Sequence, residues 1–192
     1  MRARQTGAAI FRLKVTLRGS KPPIWRRFLV PNDITLKRLH YSLQAVMGWT
    51  DSHQHQFEAR GVWYGTPDRE FGVGRVNESK TTLGQVLRRP KDRMTYEYDF
   101  GDGWLHDIVL EEVLPPGQGG PYPMIEAGKR ARPPEDVGGV YGYQGFLEAL
   151  ADPNHPEHQD MVEWAGDAFN PEAFDVREAN LAIHGGWVRP KD

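Results

Sequence analysis

The spacing of apolar positions changes period several times along the chain, and each change marks an element. Ile10 to Leu17 sets Phe11, Leu13, Val15 and Leu17 against Arg12, Lys14 and Thr16, the period of two of a half-buried strand. After the turn Gly19-Ser-Lys-Pro-Pro23, Ile24 to Val30 resumes an extended pattern in which Trp25, Phe28 and Leu29 supply bulk. From Ile34 the spacing becomes Leu36, Leu39, Leu43 and Val46, an amphipathic helix begun by Asp33 or Thr35 as cap and stopped at Gly48. His53-Gln-His55-Gln-Phe57-Glu-Ala59 and Val62 to Gly65 return to strands, and the first of these puts His53, His55 and Phe57 on one face. Thr66 to Lys80 reads as a polar loop, and Thr82-Leu-Gly-Gln85 as the capping box of a short helix ended by Pro90.

The densest stretch is Tyr96 to Glu111, two aromatic and branched runs around Asp102-Gly103, the signature of a β-hairpin. Two registers compete. A two-residue turn at Asp102-Gly103 places Asp99 opposite His106. A three-residue loop, Gly101 to Gly103, pairs Phe100 with Trp104 and Tyr98 with His106, and separates apolar from polar more cleanly, which favours it. The expected core is Trp25, Leu39, Leu43, Phe57, Tyr98, Phe100 and Trp104. Pro115 to Val140 is a Pro/Gly-rich connection, long for a compact domain. Helical stripes follow at Tyr143 to Leu150, after Pro156 with Met161 and Trp164, and from Asn170-Pro171 with Phe174 and Leu181. The order predicts an α+β fold with a mainly antiparallel or mixed sheet covered by helices and a helical C-terminal third. It predicts a single domain over 1–192: sheet and central helix in 9–114, the connection in 115–140, the helical part in 141–184.

Composition adds limits. The 192 residues are 39% hydrophobic and 26% charged, values of a globular chain. Cysteine is absent, which excludes disulfides, thiolate ligands and cysteine nucleophiles. No signal-like segment and no apolar run of membrane-spanning length is present, so a soluble, cytoplasmic protein with no membrane partner is expected. The net charge of −2 hides an asymmetry: residues 1–50 hold ten Lys or Arg against Asp33 alone. Such a split serves a nucleic-acid face, an acidic partner, or attraction within the domain.

The candidate chemistry centres on His53, His55, Asp99, Asp102 and His106. Imidazoles and carboxylates are ligands for a divalent metal such as Zn, Mn or Ni, the one cofactor the residues suggest, and polar groups in apolar strands need partners. Glu135 and Asp136, in Pro133-Pro-Glu-Asp136, orient toward the hairpin or cap a rigid turn. Arg26 and Arg27, adjacent on a strand, point to opposite faces, so at least one needs an acid or an edge. With Arg2, Arg4, Arg12, Lys14, Arg18 and Lys21 they form a basic N-terminal surface around Trp25 able to meet nucleic acid. Trp104 completes the candidate set. No serine sits in a nucleophile elbow, and Gly72-Val-Gly74 lacks the rest of a phosphate loop.

Ile24-Trp-Arg-Arg27, Gly48-Trp49, His53-x-His55-x-Phe57, Tyr98-Asp-Phe-Gly-Asp102-x-Trp104-x-His106, Pro133-Pro-Glu-Asp136-x-Gly-Gly139 and Gly142-Tyr143 resemble the plasmid pRiA4b ORF-3-like family, over roughly Ile10 to Ile183. The resemblance implies a compact α+β fold, often met in mobile elements, where some members are labelled passenger proteins of insertion elements. It implies no assigned activity. Many relatives carry cysteines near the Pro-Pro-Glu-Asp segment where this chain has Ile125, Arg132 and Val137, so any thiolate metal site of theirs is lost here. An accessory or binding domain is the leading expectation. A divalent-metal-dependent enzyme with a His/Asp site and a nucleic-acid-binding accessory protein are the alternatives.

Overall fold

Strands Ile10–Leu17 (β1), Trp25–Pro31 (β2), His55–Ala59 (β3), Val62–Gly65 (β4), Val76–Asn77 (β5), Arg93–Tyr98 (β6), Trp104–Leu114 (β7) and Met124–Lys129 (β8) form one sheet in the computed structural model. The structure describes residues 7–67, 74–117, 121–166 and 169–186. The strand order is β5-β4-β3-β6-β7-β1-β2-β8. Neighbours are antiparallel except β4 and β5, which are parallel. The helices are Leu36–Met47 (α1), Leu83–Val86 (α2), Gly139–Ala151 (α3), His158–Ala165 (α4) and Val176–Leu181 (α5), the last running into a π-helical turn at Ala182–Gly186. The fold is therefore α+β and sheet-rich, and apart from α1 and α3 its helices are short.

One face of the sheet carries the core. Leu13 and Val15 lie beside Phe28 and Ile108, and Phe57, Tyr96 and Tyr98 continue the layer. Leu36, Leu39 and Leu43 of α1, with Tyr143 and Phe146 of α3, complete it. α1 starts at Thr35, whose hydroxyl accepts from the Arg38 amide, and stops at Gly48, which supplies the left-handed φ of 57° that ends the helix. The opposite face is ion-paired: Arg12 with Glu112 and Glu126, Arg18 with Asp107, Arg27 with Glu111.

Several expectations are corrected. The hairpin adopts neither proposed register, because Tyr98 pairs with Trp104 and Tyr96 with His106 around a five-residue loop, Asp99 to Gly103. A shift of two preserves faces, so the aromatic face of the three-residue alternative survives while its pairs do not. Phe100 falls in the loop and is 41% exposed. Trp25 lies half-buried on the open face, under Lys14 and Arg27, and Arg26 takes the buried position. His53 precedes β3 rather than belonging to it, the polar 66–80 segment contributes β5, and the 115–140 connection contributes β8. The third C-terminal helix begins only after Asp175, which caps it, so Phe174 sits outside the helix.

Candidate functional site

Three segments meet at one end of the sheet. The α1–β3 connection is stitched to the Pro133–Gly138 loop by Trp49, whose indole N–H donates to the Pro133 carbonyl at 3.3 Å. Glu135 accepts from the Thr50 amide and hydroxyl and from the Tyr98 phenol at 2.8 Å. Burial and that bond to Glu135 raise the Tyr98 pKa, which keeps the phenol a donor. The Gly138 amide donates to Asp102 Oδ2 at 3.2 Å, closing the loop onto the hairpin tip. Gly139 has φ 68° and packs where a Cβ would run into the Asp102 carbonyl, so only glycine allows this approach.

This stitching brings His53, Asp99 and Asp136 together. His53 Nε2 lies 3.6 Å from Asp99 Oδ2 and 3.3 Å from Asp136 Oδ1. The three ligand atoms lie within 4.8 Å of one another. Asp99, at φ 56°, uses Oδ1 to accept the Gly101 amide at 2.9 Å, so its other oxygen is aimed at His53 by the turn itself. Ligand atoms about 2.1 Å from a common ion stand about 3.0 to 3.4 Å apart in tetrahedral or octahedral geometry. The His53–Asp136 separation falls within that spacing and the His53–Asp99 separation is slightly longer, and both carboxylates approach one imidazole nitrogen.

His53 also lines a cavity of 370 Å³ whose walls include His40, His55, Asp51, Lys37 and Arg75. His40 and His55 stack in it, ring centroids 3.5 Å apart and planes 4° from parallel. Each imidazole leans on a carboxylate: His40 Nε2 on Asp51 at 2.7 Å, His55 Nε2 on Glu78 at 2.8 Å. The Asp51 carboxylate only accepts, which places the proton of a neutral His40 on Nε2, and the Tyr96 hydroxyl, accepting from Gln44 at 3.0 Å, then donates to His40 Nδ1 at 2.8 Å. Burial lowers the His40 pKa despite Asp51, consistent with a neutral ring. Burial also opposes the Glu78 charge, yet the His55 hydrogen bond and the nearby cations outweigh it and hold that carboxyl below its ordinary range.

His40, Asp51 and His55 also lie within ligand distance of one another. Their geometry does not suit a shared ion, because parallel rings 3.5 Å apart cannot both aim in-plane lone pairs at one point without a ring turning. The sequence candidates thus divide. His53, Asp99 and Asp136 converge, with Asp102 and Glu135 holding the loops around them. His55 joins His40. His106 lies in the core, 1% exposed, its Nδ1 donating to the Trp104 carbonyl at 3.0 Å, and Trp104 is wholly buried. Neither of the last two lines the cavity. Arg26 is buried, bonded among the described residues to the carbonyls of Trp25, Lys129 and Arg130, and packed 3.9 Å over the Phe174 ring. Burial lowers its pKa to about 10. Arg12, Arg18 and Arg27 have acid partners, which neutralises much of the basic strand surface; Arg2 and Arg4 lie outside the described residues.

His40, Asp51 and Glu78 were not singled out from sequence. His40 carried a readable signal, since with Gln44 it occupies i and i+4 on the apolar side of α1. Glu78 carried none, sitting in a polar stretch where an acid is ordinary.

The fold and these motifs define an α+β protein of the plasmid pRiA4b ORF-3-like kind. The profile of the plasmid pRiA4b ORF-3-like protein family matches residues 9–178, and the chain belongs to that family. It is 43% identical over 187 residues to the uncharacterized protein y4hQ of Sinorhizobium fredii, across 95% of this chain and 96% of that one. It is also similar to the crystal structure of a protein of unknown function, MM3350 from Methanosarcina mazei Go1. That similarity has a TM-score of 0.82 and 41% identity over 90% of this chain and 98% of the other. No helix among the described residues is long and apolar enough to cross a membrane.

Proposed function

We propose that the chain is a binding domain for a divalent metal ion, held by His53, Asp99 and Asp136 at the mouth of the histidine-lined cavity. The observation that carries this reading is the approach of two carboxylates to one imidazole nitrogen, at 3.6 and 3.3 Å. Without an ion, two anionic groups share a single neutral or singly charged partner; with one, all three are satisfied by a single centre. An N/O₂ donor set without sulfur suits Mn, Zn or Ni. Three ligands leave positions for water, whose pKa a bound metal lowers, and this is the chemistry through which the domain would become an enzyme. The His55–Glu78 pair in the adjoining cavity would be the proton acceptor.

The test is calorimetric titration of Mn, Zn and Ni into chelator-treated, untagged protein, with His53→Ala and Asp99→Asn alongside. A single saturable site in the wild type, lost in both variants, is expected. Its affinity should fall on acidification, because protons compete with the ion for its ligands. Equal binding by wild type and both variants, or no heat from any of the three ions, would refute the site.

A further inference from the structure

We infer that the cavity beside the proposed metal site receives the phosphate group of a small phosphorylated molecule, gripped by Lys37 and Arg75. Behind the cavity wall Glu78 is fully buried, and both its oxygens are engaged, one by His55 Nε2 at 2.8 Å and the other by the Thr66 hydroxyl at 3.2 Å. Asp51 turns its Oδ1 to His40 Nε2. The Asp51 and Glu78 carboxylates are thus each hydrogen-bonded to an imidazole.

The cations are differently placed. Lys37 and Arg75 both line the cavity, and among the described residues neither makes an ion pair; Lys37 lies over the Tyr41 ring at 5.8 Å and Arg75 over the Phe100 ring at 5.5 Å. Arg75 Nε is shielded from solvent and has no hydrogen-bond partner. A buried guanidinium N–H left unpaired is costly, and an anion seated in the cavity removes that cost. Guanidinium presents a planar fork that matches two phosphate oxygens, and ammonium adds a point charge from the other wall. Lys37 and Arg75 are the cations of the cavity wall, set against the Asp51 and Glu78 carboxylates behind the imidazoles, and the Arg75 Nε–H is the donor left without a partner among the described residues. Its 370 Å³ lies in the range of small-ligand sites, with Tyr41 and Pro67 as the less polar wall for an organic group.

This inference rests on the metal reading only for the ion next to the phosphate, and the two fail separately. Inorganic phosphate and phenyl phosphate are titrated calorimetrically into chelator-treated and Mn-loaded protein at fixed ionic strength. Binding by the wild type is expected, with Lys37→Ala and Arg75→Ala each weakening it about tenfold or more, the usual worth of a charge-assisted contact. Arg12→Ala, on the opposite sheet face, should leave it unchanged, and Mn binding should persist in the Lys37 and Arg75 variants, which also shows that they fold. His53→Ala should lose Mn and keep metal-free phosphate binding. Phosphate binding that survives both cation variants at full strength, or no binding of either probe to wild-type protein, overturns the inference whatever Mn does.

Discussion

Acidification should unfold this protein through a residue remote from its proposed site. His106 is 1% exposed beneath Trp49, Tyr96 and Trp104, with ring centroids 5.5 Å from Trp49 and from Tyr96. Its Nδ1 donates to the Trp104 carbonyl, so a second proton would have to enter Nε2, which has no hydrogen-bond partner. Burial first, with the Arg26 charge adding to it, lowers the His106 pKa from 6.5 to about 4, and backbone carbonyls only partly oppose this. The unfolded chain therefore binds a proton more readily than the folded one, and the stability His106 contributes is present above pH 6.5 and lost as pH falls toward 4. A shift of 2.5 pH units corresponds to about 3 kcal/mol in full, and about 2 kcal/mol of it disappears between pH 7 and pH 5. Urea denaturation at pH 7, 6 and 5 measures the loss. His106→Gln, less stable at pH 7, should show a shallower pH dependence than wild type by about that amount. An imidazole resonance assigned to His106 that titrates near 6.5, or parallel pH profiles for the two proteins, would refute the reasoning.

Leu43, 1% exposed at the centre of α1, should cost about 2 to 5 kcal/mol when truncated to alanine, read as a lower urea midpoint with unchanged slope. Glu78→Gln removes the charge that holds His55 and should destabilise by about 1.5 to 3 kcal/mol at pH 7. Because the Glu78 pKa is depressed in the fold, the difference should shrink as pH drops below the usual carboxylate range; a constant gap down to pH 3 would count against the assignment. Gly139→Ala sets a methyl group against the Asp102 carbonyl and a left-handed φ, so it should part the Pro133–Gly138 loop from the hairpin and weaken Mn binding at least tenfold. Unchanged Mn affinity in that variant would show that the loop contact does not position Asp136.

What the sequence settled by itself is local. The alternation of Phe11, Leu13, Val15 and Leu17 specifies β1, the Leu36-Leu39-Leu43 stripe specifies α1, and Thr82 with Gln85 makes a capping box, because each depends on neighbours a few residues away. The α+β class follows from their order. The hairpin register was not local: Asp99 takes a left-handed φ and bonds its own loop, which lengthens the turn to five residues and removes Phe100 from the core. The buried place of Arg26 likewise depends on Phe174 and on carbonyls more than a hundred positions away. Of the site, His53 and Asp99 were legible as polar residues in aromatic surroundings, but their separation in space was not. Only the packing of the Pro133–Gly138 loop against Thr50, Tyr98 and Asp102 brings Asp136 to them, since such contacts join residues 36 to 85 positions apart and leave no periodicity behind.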